Sequence, residues 1–292
     1  MSLPKPLRNL LKTAAALPIV ARFTVLSRVN PAAAAREAAK VWCRLPSNAG
    51  RRMDNRTSPG EIEHVAMDQA QLAVELWGAA DAPIVYLVHG WGGWRGQLGA
   101  FVDPLVAQGL RVIGFDAASH GDSTPGKYGA NYSAAPEIRR SFQAVVAKYG
   151  QPHGIVAHSL GCAVAAQALR EGVTTAKLAL IAPSPDMAAY LDWFAQRLGL
   201  SQAAVELLGP AVVEWAGEPL ERSNTAQIGA AGGLPDALVI HDRFDKEVRY
   251  SETEAIINTW EKTHLMSTQG LGHHRILKDP AVIARVAVEM AS

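Results

Sequence analysis

Apolar and polar positions alternate most clearly between residues 61 and 77. Residues 62–67 and 72–77 each alternate around a turn near Asp68, which predicts an antiparallel hairpin at a sheet edge. The pattern then changes. Residues 84–88, behind Pro83, form an unbroken apolar run of the kind that makes a parallel strand buried on both faces. Residues 111–115, 155–157, 178–182, 237–241 and 264–267 read as further strands. Helices are expected between them, over about 97–108, 133–149, 162–169 and 252–262, with a last one over 281–290. Strand–helix alternation of this kind predicts a doubly wound α/β fold around a mostly parallel sheet.

Two stretches break the alternation. Residues 183–235 carry no strand-like run but hold helical segments with Met187, Tyr190, Trp193, Phe194, Leu198 and Trp215. An insertion this long is usually functional, and its position predicts a helical cap, 184–235, over the C-terminal ends of the strands. At the other end, residues 1–52 are basic and helix-prone. Lys5, Arg8, Lys12, Arg22 and Arg28 interrupt the apolar stretches, so neither a signal peptide nor a membrane span is expected there. One or two amphipathic helices packed on the main body are expected there, with a weak membrane-surface arm as the alternative. Residues 46–60 are polar and read as a linker. The division is therefore 1–60 as an N-terminal extension and 61–292 as the main domain.

Composition narrows the class without naming a chemistry. Of 292 residues, 49% are hydrophobic and 19% charged, as in a globular enzyme with a large core. The 28 basic and 27 acidic residues nearly cancel, so nothing supports a nucleic-acid partner. The two cysteines, Cys43 and Cys162, are far apart and predict no disulfide; a reducing, cytoplasmic compartment fits. No residue spacing suggests a metal site, and no cofactor is expected.

The chemistry concentrates around Ser159. It follows the strand 155–157 and precedes a helix-forming run, with Ala157 and Gly161 two positions to either side. This is Gly-x-Ser-x-Gly with alanine in the first place, a tight strand-to-helix turn that lifts the hydroxyl clear of the backbone. A serine needs a histidine base, and the histidine needs a carboxylate. After the strand 237–241 come Asp242 and Asp245. Asp245, farther into the loop, is the preferred acid, and Asp242 is expected to brace the loop. In the Gly-rich stretch 269–275, His273 is the preferred base and His274 the alternative. The backbone N–H groups of Leu160 and Trp91 are placed to hold an oxyanion, Trp91 lying in the glycine-flanked turn 89–93. His158, Tyr190, Trp193, Phe194 and Trp215 are candidates for a substrate pocket.

Taken together, His89-Gly90-Trp91-Gly92-Gly93, Asp116 to Ser123, Ala157 to Gly161, His241 to Val248 and Gly272-His273 resemble the α/β-hydrolase family in its single-domain esterase-like branch. The resemblance covers about residues 61–290. It implies an eight-stranded sheet with helices on both faces and a helical cap after the sixth strand. It also implies Ser159, Asp245 and His273 as a catalytic triad with Trp91 and Leu160 as oxyanion donors. The expected activity is hydrolysis of small to medium carboxylic esters through an acyl-enzyme. Thioesterase, C–C bond hydrolase and acyltransferase chemistry use the same triad, and a non-catalytic ligand-binding protein could keep the fold.

Overall fold

The computed structural model describes residues 17–46, 53–184 and 186–292. Lys5, Arg8 and Lys12 of the basic stretch, and residues 47–52 of the expected linker, lie outside the described residues. Helices α1 (Leu17–Val29) and α2 (Pro31–Trp42) come first, followed by strands β1 (Glu61–Met67), β2 (Ala70–Trp77) and β3 (Ile84–Val88). A 3-10 helix (Arg95–Phe101) runs into α3 (Val102–Ala107). Next come β4 (Arg111–Phe115), α4 (Ala135–Tyr149), β5 (Gly154–His158), α5 (Leu160–Arg170) and β6 (Lys177–Ile181). The insertion supplies α6 (Met187–Leu198), α7 (Gln202–Ala216) and α8 (Thr225–Ala230). The chain closes with β7 (Ala237–Asp242), α9 (Tyr250–Thr259), β8 (Thr263–Thr268), the short α10 (Gly272–Arg275) and α11 (Pro280–Ala291).

The sheet has eight strands in the order β1-β2-β4-β3-β5-β6-β7-β8. β1 pairs antiparallel with β2, and β2 antiparallel with β4; every other pair is parallel. The chain leaves β3 toward one side of the sheet and returns to the other as β5. The C-terminal ends of these two neighbours therefore flank the switch point where open α/β sheets place their sites. The apolar run 84–88 explains why β3 is central. Tyr86 and Val88 face the layer of α4 and α5, while Val85 and Leu87 face the layer of α3 and α11, and all four are fully buried.

One expected helix differs. Residues 95–101 are 3-10 rather than α, with Gln97 N–H bonded to the Trp94 carbonyl. Arg95 is the cause: its backbone N–H and its guanidinium both bind Asp116, which fixes the segment before an α-helical register can begin.

The N-terminal helices pack where the sequence could not place them. Asn30 caps α2 by accepting the Ala33 N–H at 3.0 Å, and Pro31 stands where a helix needs no donor. Phe23, Ala35, Ala38 and Ala39 then share one core with Phe194, Leu198, Leu208 and Val212 of the inserted helices. Trp42 meets Phe194 edge-on with ring centroids 5.2 Å apart. Beyond α2 the chain is pinned to the body: Leu45 N–H bonds the Asn131 carbonyl and Ser133 N–H the Cys43 carbonyl. The extension and the insertion thus form a single helical layer. No described helix is long and apolar enough to cross a membrane.

This layer can be tested at its centre. Phe194 is 1% exposed, so Phe194→Ala should lower stability by about 3–5 kcal/mol in urea unfolding. A change below about 0.5 kcal/mol, the range of surface substitutions, would show that the two sets of helices do not share a core.

Candidate active site

Ser159 is the one residue between β5 and α5, and its backbone is left-handed, at φ 55° and ψ −124°. A non-glycine residue there is strained by about 1–3 kcal/mol and persists only where its surroundings impose it. They do so through the Ile181 carbonyl, which accepts the Ser159 N–H at 3.0 Å, and through the N–H groups of Cys162 and Ser184, which bind the Ser159 carbonyl. Two glycines make room. A methyl on Gly161 would lie 2.5 Å from the Val88 carbonyl oxygen, and one on Gly90 would lie 2.8 Å from Ser159 Cβ. The end of β3 therefore crosses directly beneath the serine turn. Ala157 is fully buried, and its methyl is accommodated.

Of the carboxylates and histidines left open by the sequence, Asp245 and His273 line up with Ser159. His273 Nε2 is 3.0 Å from Ser159 Oγ, and His273 Nδ1 is 2.8 Å from Asp245 Oδ2. The carboxylate takes the Nδ1 proton, which leaves the Nε2 lone pair facing the serine hydroxyl. Asp245 is further held by the N–H groups of Glu247 and Val248, at 2.7 and 3.0 Å, and by His241 Nε2 at 3.2 Å. Burial pushes the Asp245 carboxyl up, but hydrogen bonds from His241 and His273 outweigh it and hold it well below the usual carboxylate range. Burial pulls His273 down, and the bond and charge of Asp245 more than reverse this, so its imidazole titrates above the ordinary histidine value of 6.5.

The two alternatives have other partners. Asp242 accepts the Phe244 N–H at 2.9 Å, the Leu271 N–H at 2.8 Å and the Thr268 hydroxyl at 2.9 Å. It stitches the loop carrying the acid to the loop carrying the histidine. His274 turns to Glu247, its Nε2 3.2 Å from Oε1.

The turn after β3 is set by His89. Its Nε2 accepts the Ala117 N–H at 3.0 Å, so Nδ1 carries the proton and donates to the Gly90 carbonyl at 2.8 Å. Burial, aided by His120, pushes His89 down to about 3 and keeps it neutral. Arg95 braces the same turn from behind, with Nε 2.7 Å from Glu75 and Nη2 2.9 Å from Asp122. Among the described residues, the Trp91 N–H has no hydrogen-bond partner, and the Leu160 N–H is the first of a helix. Among the described residues neither donor is committed, and both belong to the turns that Gly90 brings together. Sequence reasoning missed His241, Glu247 and Arg95. Only His241, at a strand end four residues before Asp245, carried a signal.

The candidate pocket residues separate. His158 is buried, its Nε2 2.9 Å from the His273 carbonyl and its ring 4.7 Å from that of His273. It therefore props the histidine from behind. Tyr190 is also buried and donates its hydroxyl to the Glu247 carbonyl at 2.5 Å, tying α6 to the acid loop. Trp193 is half-buried beneath the Arg197 guanidinium, and Trp215 stacks on Tyr128 with centroids 4.2 Å apart. Phe194 does not line a pocket, because the N-terminal helices cover it. Among the described residues, no cluster of three His, Cys, Asp or Glu is arranged to hold a metal ion.

The chain matches the family described as "Alpha/beta hydrolase family" over residues 85–286. No curated protein matches it. Among solved structures it is similar to a thioesterase domain from the curacin biosynthetic pathway, at 18% identity over 80% of this chain and 100% of that one, with a TM-score of 0.59. It is similar to the esterase EaEST from Exiguobacterium antarcticum, at 16% identity over 80% of this chain and 99% of that one, with a TM-score of 0.57. A membrane phospholipase A, described as a bacterial virulence factor, aligns over 97% of both chains at 17% identity and a TM-score of 0.58. At these identities the likeness to the solved structures is one of fold.

The electrostatics of the cluster predict a titration. In Asp245→Asn, burial acts on His273 without the opposing charge, so its NMR titration midpoint should fall below that of the unmodified protein. An unchanged midpoint would mean that Asp245 does not set the protonation of this imidazole.

Proposed function

The chain belongs to the alpha/beta-hydrolase family, and on that premise we propose that it is a serine hydrolase of small to medium carboxylic esters working through an acyl-enzyme. The observation that carries this reading is the series Ser159 Oγ, His273 Nε2, His273 Nδ1, Asp245 Oδ2, with spacings of 3.0 and 2.8 Å. Ser159 attacks the ester carbonyl while His273 takes its proton, and Asp245 stabilises the imidazolium that forms. The carbonyl oxygen, now negative, is held by the N–H groups of Trp91 and Leu160. His273 returns the proton to the leaving alcohol. It then activates a water, which releases the acid by the reverse sequence of steps.

Similar structures named esterase and thioesterase support acyl transfer as the use of this fold. A binding protein without catalysis is disfavoured by the same geometry: a strained serine, aligned with a base and an ionised acid, has no part in ligand binding alone. A reducing, cytoplasmic setting belongs to this reading and is supported by two buried free thiols, Cys43 and Cys162.

A panel of p-nitrophenyl esters and acyl thioesters of rising chain length tests the reaction and ranks its substrates. Ser159→Ala should abolish turnover and labelling by a fluorophosphonate. Asp245→Asn should lower kcat by about 10³–10⁴-fold, and Asp242→Asn far less, since Asp242 bonds the two loops and not the imidazole. Equal losses in both would undo the assignment of the acid. With pH, kcat/KM should rise through a single ionisation, because only neutral His273 accepts the serine proton. Since Asp245 raises that pKa, the midpoint should lie above 6.5, with activity lost below it. A midpoint below 6.5 would contradict His273 as the base.

A further inference from the structure

Helix α1 is apolar on two sides. Phe23 and Ser27 point into the helical layer and are buried. Leu17, Ala21, Val25 and Val29 recur every fourth residue, run along the opposite side, and meet solvent. Leu17, Val25 and Val29 are 70, 63 and 79% exposed, and Pro18 beside them is exposed as well. Single exposed aliphatic residues are ordinary. A row of them on a helix whose inner side is already used is not, because a surface helix normally turns its polar residues outward.

The charges along this row have one sign. Arg22 and Arg28 are the charged residues of α1, and both are exposed on the apolar side. Arg22 also pairs with Glu37 of α2. Glu37 is the first acidic residue of the chain. Before it stand Lys5, Arg8, Lys12, Arg22, Arg28 and Arg36, although the whole protein carries a net charge of only +1. The positive excess is therefore local to the part of the chain that carries the apolar row.

We infer that the outer side of α1 docks the protein on an anionic phospholipid surface. Lipid headgroups supply an acidic partner for Arg28, whose guanidinium bonds only the Thr24 carbonyl among the described residues, and the acyl layer about 5–10 Å beneath takes up the aliphatic row. A second copy of this chain would not serve. A two-fold contact through α1 would gather two copies each of Arg22 and Arg28 into one interface with no acidic residue of α1 among them, and like charges oppose association. The inner side of α1 rests on α6 and α7, and α6 reaches the acid loop through Tyr190. A protein docked on α1 is held to the lipid by the same helical layer that contacts the Ser159 site.

The full-length protein, mixed with sedimenting vesicles, provides the test, and the readout does not depend on hydrolysis. Binding should appear on vesicles containing phosphatidylglycerol, weaken as salt is raised, and be far lower on phosphatidylcholine alone. Val25→Asp combined with Val29→Asp should reduce the partition coefficient about ten-fold or more, with the melting temperature unchanged because both sites are exposed. Should that pair disturb folding, a milder variant decides: Val25→Cys carrying an environment-sensitive fluorophore, specific because Cys43 and Cys162 are buried. Its emission should shift to the blue on phosphatidylglycerol vesicles. Failure to bind anionic vesicles, unaltered binding by the double variant, or an unshifted fluorophore on bound protein would each overturn the proposal. So would self-association that Val25→Asp abolishes.

Discussion

Everything at the Ser159 site depends on a crossing of backbones. Strand β3 must end directly under the turn between β5 and α5, closely enough that neither Gly90 nor Gly161 can carry a methyl group. The parallel pairing of β3 with β5 produces that approach, and the fully buried apolar residues of both strands fix it. The strain in the Ser159 backbone is then imposed by the sheet as a whole rather than by local sequence. The same closeness places the Trp91 and Leu160 N–H groups in adjoining turns, so the Ser159 hydroxyl and these two donors are positioned by one packing constraint. A shift of β3 along β5 would disturb both together.

A second level of organisation keeps the far loops in register. Asp242 binds groups from its own loop and from the histidine loop, and His158 bonds the His273 backbone from the side of the serine. His273 is thereby held by a charge at one nitrogen and by His158 at its carbonyl, in a loop that Asp242 anchors through Leu271. Asp245 owes its ionised form to donors converging from His241, His273 and two backbone N–H groups, against the opposing effect of burial. A lone carboxylate with the same burial would be driven toward its neutral form. Arg95 performs a comparable service for the turn after β3, joining Glu75, Asp116 and Asp122 behind it.

How much of this could be read from the chain follows from the range of the interactions. The strands were legible because burial on one face or two writes itself into consecutive residues, and the run 84–88 is β3 to the residue. The serine turn was legible because its steric demands fall within five residues. Asp242 and Asp245 both follow the strand read at 237–241, and sequence could not weigh the partners of each. What was illegible depends on residues far apart. Phe194 stood as a pocket candidate with packing of the cap as its alternative, and the residues beside it, Phe23, Ala35 and Trp42, lie more than a hundred positions earlier. The 3-10 segment at Arg95 was missed for the same reason, since its cause is a carboxylate on another strand's loop.

That long reach has a consequence for how the protein is made. Ser27 and Ser201, which bond across the helical layer, are 174 positions apart. When α1 and α2 leave the ribosome, the residues that will cover them have not been synthesised, and strands β1 to β6 lie between. The closure entropy of so long a loop is recovered only once the inserted helices arrive. Helices translated ahead of the sheet are thus among the last to find their place, and until then Phe23 and the alanines of α2 remain open to water, chaperones or any apolar surface at hand.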